Sequence, residues 1–447
     1  MDPNQNTSPP KILKTAIRFL AIAAGFFLIT RSGHSIKVFD LLVAILGILV
    51  VLAPDTRRLL GELLTKVWPY LKYLILLVIL ILLAQLISYL KSNNTTLESE
   101  SLVNYGRVVF NIFTLLTATF IVYYDRKILL LLSISIFVSS SVNLPAFWNL
   151  SEGVHISGGR LTGFLQTPLI LGLWLNVIFL IGLGLYTTTK KTWSKIFLIV
   201  LLVVTASFSL WSASRAAWLA LAFALFLWIL FYIWEKEWKK FSTLILVSVI
   251  VFLFGYLLLP HEQIQMKTFV RNRVANLTKS VVTLKPNEVQ AQSQTRIWPG
   301  IAGFILRHPF GSGFGSYHPK ELEIKNGTSV SNNSFLELGL YGGIGAILIF
   351  MVFLLKLAGK TVSIIKKNRS IFSEIELVWL LAGVSVVVTI FFTDAFLWRH
   401  VWFALGIVLG IILIEHPTIQ DKKSKPNLNS LNLDLSRFDN KKDKLGF

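Results

Sequence analysis

A guanidinium inside an apolar chain needs an anion, and Arg215 sits in such a place, within LWSASRAAWLALA. One apolar block ends here and the next begins. Charge at that position is costly to bury, so the side chain must meet a phosphate or carboxylate, or reach the lipid headgroups. On phosphate, its planar fork would hold two oxygens at once, with Ser212 and Ser214 as hydroxyl donors nearby. Spacing alone keeps both readings open.

The other candidates lie downstream. Arg296 opens TRIWPGIAGFILRHPFGSGFGSYHPK, beside Trp298. It is either a second phosphate contact or a surface cation on an amphipathic helix. His318 follows the Gly311, Gly313, Gly315 turn. It is either a general base, since imidazole titrates near neutrality, or an exposed loop histidine. Asn332 and Asn333 stand just before an apolar helix, where they suit an N-cap or an anion-binding helix end. Asp394, Arg399 and His400 cluster where two apolar blocks meet. Asp394 and Arg399 would form a structural ion pair there, or Arg399 would face the same cavity as Arg215. Arg107 and Arg160 are weaker candidates of the same kind.

Much chemistry is absent from the sequence. The chain has no Cys, which removes disulfides, thiol catalysis and thiolate metal sites. It shows no HExxH, no acidic pair at helical spacing and no DxD. The Gly311–Gly315 turn lacks the Lys-Ser/Thr of a P-loop. No metal or cofactor is therefore expected.

These residues need a scaffold, and composition names its kind. The 447 residues are 54% hydrophobic and only 15% charged, and the apolar residues form long blocks. Spans are expected at about 16–30, 36–53, 70–90, 103–124, 127–144, 168–187, 195–213, 216–234, 242–259, 334–355, 376–395 and 398–414. Alternating strands are absent, so the expectation is an all-α polytopic membrane protein of about twelve transmembrane helices. Between helices 9 and 10 runs a large outward-facing loop. Within it, 267–282 reads as a surface amphipathic helix. A second short helix is expected over 296–307, with Pro299 in its first turn and His308-Pro309 at its end.

Basic residues set the orientation. Arg57, Arg58, Lys66, Arg126, Lys127, Lys190, Lys191, Lys236, Lys239, Lys356 and Lys360 fall in alternate loops. Both termini are then cytoplasmic. The expected division is a cytoplasmic tail at 1–14, helices 1–9 over 15–259, the outer loop at 260–333, helices 10–12 over 334–414 and a basic, disordered tail at 415–447. The formal charge of +20 fits contact with anionic membrane lipids rather than nucleic acid, for which no aromatic-interleaved basic motif exists.

The order SRAAW (Ser214–Trp218), a long loop opening near Arg296, HPFGSGFGSY (His308–Tyr317) and NNSFLELGLYGGIG (Asn332–Gly345) resembles the O-antigen ligase and polymerase superfamily. GRLTGFLQTP (Gly159–Pro168) lies upstream, and the resemblance spans roughly 159–410. It implies a GT-C-like, metal-independent glycosyltransferase on the outer face of the cytoplasmic membrane. The implied donor is a polyprenyl-pyrophosphate-linked glycan and the acceptor a glycan, lipid or protein. The resemblance also implies that Arg215 and Arg296 hold the pyrophosphate. Where ligases of the family carry a basic histidine, this chain has Asn332, which cannot take a proton as imidazole does. His318 or a carboxylate such as Glu321 then substitutes, or the chain is a divergent polymerase, or the chemistry is lost. Two rival classes fit parts of the pattern: an anion (bicarbonate-like) transporter, and a non-catalytic component of a polysaccharide export assembly.

Overall fold

A computed structural model describes residues 11–27, 34–91, 99–146, 156–157, 160–161, 168–258, 298–314, 333–367, 373–393 and 396–414. Helices dominate, as they must where hydrocarbon offers no partner for backbone N–H and C=O groups. They are α1 (Lys11–Phe27), α2 (His34–Leu52), α3 (Pro54–Lys91), α4 (Ser99–Tyr124), α5 (Ile128–Ala146), α6 (Pro168–Thr188), α7 (Thr192–Ser212), α8 (Arg215–Trp234) and α9 (Trp238–Leu257). After the long loop come α10 (Trp298–Arg307), α11 (Ser334–Lys367), α12 (Glu374–Ile390) and α13 (Arg399–Leu413). The departure from an all-α chain is a short antiparallel pairing of β1 (Ile156–Ser157) with β2 (Arg160–Leu161). The amphipathic helix expected over 267–282 lies outside the described residues.

Within the described residues, each apolar block read from the sequence lies mainly on one of these helices. Among the described residues, seven are long and apolar enough to cross a membrane: Thr56–Leu90, Leu102–Tyr124, Ile170–Thr188, Thr192–Ser212, Arg215–Trp234, Trp238–Leu257 and Ser334–Lys366. Val38–Leu52, Ile128–Ser140 and Arg399–Leu413 are shorter apolar stretches.

α6 forms the centre, with Trp174, Asn176, Val177 and Phe179 fully buried. Beside it, α4 and α13 meet along a seam of small residues. A Cβ at Gly406 would lie 2.4 Å from the Leu115 carbonyl oxygen, and one at Gly410 would lie 2.7 Å from Val122 Cβ. Glycine there lets the backbones touch, the usual way helices associate without a hydrophobic driving force. Thr119 Oγ1 donates across the seam to the Gly406 carbonyl at 3.0 Å. Exposed Leu82, Leu86, Leu246 and Leu253 present the outward surface expected of lipid contact.

One end of the bundle is closed by ion pairs. Asp125 accepts from Arg18 Nε at 2.7 Å, Arg126 pairs with Glu376, and Glu374 accepts from Lys240 at 2.8 Å and from the Tyr232 hydroxyl at 2.9 Å. Ser373 and Glu376 also form a reciprocal cap at the start of α12.

α11 is two helices in one. Gly343 breaks it with φ 71° and ψ −166°. The segment after α10 is sewn into the break. Ile344 N–H donates to the Pro309 carbonyl at 3.0 Å, Ser312 N–H to Leu340 at 2.8 Å and Gly313 N–H to Tyr341 at 2.9 Å. These bonds satisfy backbone groups that the break would orphan. A Cβ on Gly343 would fall 1.9 Å from the Pro309 oxygen, and one on Gly311 2.5 Å from the Gly343 nitrogen. The HPFGSG glycines thus serve backbone-on-backbone contact, and α10 is fastened to α11. Ile301, Phe304, Ile305 and Leu340 form a small core between them.

Candidate functional site

The end of the bundle opposite the ion pairs gathers several helix N-termini. The α7–α8 corner is built by its sequence. Ala213 takes the left-handed conformation (φ 47°), Ser212 Oγ donates to the Ser209 carbonyl at 2.7 Å, and the Trp218 indole donates to the same carbonyl at 3.0 Å. Ser214 then caps α8 by accepting from Ala217 N–H at 3.4 Å. Arg215 is therefore the first residue of α8, half-buried. Among the described residues no carboxylate pairs with it.

The N-terminal part of α6 packs on this corner. A Cβ on Gly172 would come within 2.7 Å of Ala217 Cβ and 3.0 Å of Ser214 Cβ. One turn on, fully buried Asn176 donates through Nδ2 to the Ala217 carbonyl at 2.6 Å and to Ser385 Oγ of α12 at 3.3 Å. Asn176 thus holds the first turn of α8 in place. It is invisible in the sequence, because an isolated Asn in an apolar block gives no pattern. Arg160 lies on β2, which packs against α6 and α7.

α13 begins at the same end. His400 meets Trp174 of α6 edge-on at 4.9 Å. Arg399 pairs with Asp40 of α2 and lies over the Phe110 ring at 5.8 Å. Asp40, from the other end of the chain, is thus one partner of Arg399, and Asp394 lies outside the described residues. A contact between residues 359 apart carries no local sequence signal. The Asp40 pair ties the start of α13 to α2.

α11 also starts here. Asn333 Oδ1 accepts from Phe335 N–H at 2.9 Å and Leu336 N–H at 3.1 Å, so it caps the helix. Ser334 Oγ donates to the Thr393 carbonyl at 2.7 Å, which fixes this start against the end of α12. Glu337 places a carboxylate in the first turn and accepts from the Tyr341 hydroxyl at 2.8 Å. In sequence it reads as an ordinary first-turn acid suited to the helix dipole. His308 ends α10 and stacks on Phe304 at 4.2 Å. Arg296, His318 and Asn332 lie outside the described residues.

The N-termini of α6, α8, α11 and α13 thus share one end of the molecule. Each carries partial positive charge from its aligned peptide dipoles, including where a side chain caps it. With half-buried Arg215 among them, this end is suited to hold an anionic group in a setting poorer in water than the surface. Among the described residues, no group of His, Asp and Glu side chains is arranged to hold a metal ion.

The fold is that of a polytopic helical membrane protein. Residues 197–351, from α7 through the break in α11, match the family model for O-antigen ligase. Both Arg215 and the α10–α11 assembly fall inside it. No curated protein sequence matches the chain.

Proposed function

We propose that the protein is a membrane glycosyltransferase that moves or polymerises a glycan from a polyprenyl-pyrophosphate carrier. In this reading about twelve helices cross the cytoplasmic membrane, both termini are cytoplasmic, and the Arg215 end faces outward. The observation that carries it is Arg215: a half-buried guanidinium at a capped helix start, without a carboxylate partner among the described residues, inside the O-antigen ligase match.

In the reaction the anomeric carbon leaves the carrier's pyrophosphate oxygen and bonds to an acceptor hydroxyl. Charge grows on the departing pyrophosphate, and fixed cations there stabilise the transition state more than the ground state. Arg215 fills that role from the helical side and Arg296 from the loop. His318 takes the acceptor proton; Glu337 is the carboxylate that would replace it. Asn332 adjoins the site. Asn333 acts by positioning, because its side-chain oxygen is already used as a cap. The acceptor is a glycan, lipid or protein, and the chemistry needs no metal.

The break in α11 invites comparison with transporters, whose broken helices line substrate cavities. Here the gap is filled by the Pro309–Gly313 backbone, which favours a fixed enzyme scaffold. Purified protein given a polyprenyl-pyrophosphate-linked glycan, candidate acceptors and excess EDTA should form product. Anion flux into vesicles without any transfer would overturn the proposal.

A further inference from the structure

At the other end of the bundle two cations from different helices meet on one ring. The lysines and arginines on Asp125, Glu374 and Glu376 are matched by carboxylates. By contrast, Lys72 of α3 and Lys356 of α11 both converge on Tyr73. Their Nζ atoms lie 5.4 Å and 4.7 Å from its ring centroid. Among the described residues no carboxylate pairs with either. Two ammonium groups beside one ring make a paired cationic surface that an anion can bridge.

The face of α11 below Lys356 continues the site. Gly359, Ser363 and Lys366 follow at helical spacing on the same side. Gly359, Ser363 and Lys366 line a groove of about 430 Å³. A Cβ at Gly359 would meet nothing within 4 Å, so this stretch lies open. Toward the bundle centre, Leu76 of α3 and Leu348 and Leu355 of α11 are 43%, 57% and 65% exposed, an apolar surface continuous with the cations. Trp68, 56% exposed, sits one turn from Lys72, as aromatic residues do at a membrane interface.

We propose that this α3–α11 seam binds the headgroup phosphate of an anionic phospholipid, with Lys72 and Lys356 on the phosphate and the acyl chains along the apolar flank. A phospholipid fits better than a soluble anion because apolar surface and paired cations occur together on the outside of the bundle. The site is independent of Arg215 and of the transfer reaction.

Native mass spectrometry of the purified full-length protein in detergent, titrated with phosphatidylglycerol or phosphatidylcholine, tests this. The wild type should retain phosphatidylglycerol preferentially, and Lys72→Gln with Lys356→Gln should weaken that retention roughly tenfold or more. Lys191→Gln with Lys195→Gln, at a different cationic loop, should leave it unchanged. Lys366→Gln serves as the second variant if the Lys72/Lys356 pair is poorly recovered, and it should weaken retention in the same direction. Equal retention of the two lipids overturns the proposal. So does an equal loss in the Lys191/Lys195 control, which would mean diffuse surface charge. Displacement by millimolar inorganic phosphate also overturns it, assigning the site to a soluble anion.

Discussion

At the scale of single residues, function depends on how firmly the start of α8 is held. Asn176 bridges the Ala217 carbonyl and Ser385, wholly out of solvent. Asn176→Leu removes these bonds and should cost about 1–2 kcal/mol. Asn176→Asp should be worse, because an unpaired buried carboxylate faces a carbonyl it cannot donate to. Thermal unfolding in detergent reads the order, and a milder Asp variant would contradict the arrangement. His318→Ala should abolish glycan transfer if the imidazole is the base; full activity would move that role to a carboxylate, with Glu337→Gln the next variant to measure. The legible residues were those whose type is anomalous for their place. Arg215 stands out because a cation interrupts apolar sequence. Asn176 and Asp40 do not, since their meaning arises only when distant helices meet. Arg399 shows how a partner far away in sequence escapes reading: it pairs with Asp40 of α2.

Among the elements, the join between α10 and α11 matters most. The glycines after His308 read in sequence as a turn, and NNSFLELGLYGGIG as the start of an apolar helix that carries its own glycines. The structure uses both sets together, as two backbones in contact across a helix break. Neither set shows in sequence what it packs against. Gly343→Ala and Gly311→Ala, both at positive φ and in backbone contact, should each destabilise by about 1–3 kcal/mol and expose the loop to protease. Gly106→Ala, on open helix surface, should be neutral or stabilise by up to about 1 kcal/mol. Equal effects at all three positions would refute the stitched break. Apolar blocks, by contrast, were read directly as helices, because length and hydrocarbon leave no other hydrogen-bonded solution.

Across the whole molecule, polarity is divided between two ends. One gathers helix N-termini and Arg215; the other gathers ion pairs and the Lys72–Lys356 seam. In the proposed topology the basic loops make the second end cytoplasmic. The chain has no cysteine, so single substitutions report topology without background. Lys191→Cys should react with an impermeant thiol reagent only from the cytoplasmic side, and Arg307→Cys only from outside. Reaction of both from one side would invert or fold back the arrangement. The central claim, that Arg215 stabilises a departing pyrophosphate, is tested most directly by steady-state transfer from a polyprenyl-pyrophosphate-linked glycan with purified Arg215→Ala protein. The predicted result is a fall in kcat of about 10²-fold or more with the fold intact. Turnover equal to that of the wild type would contradict it.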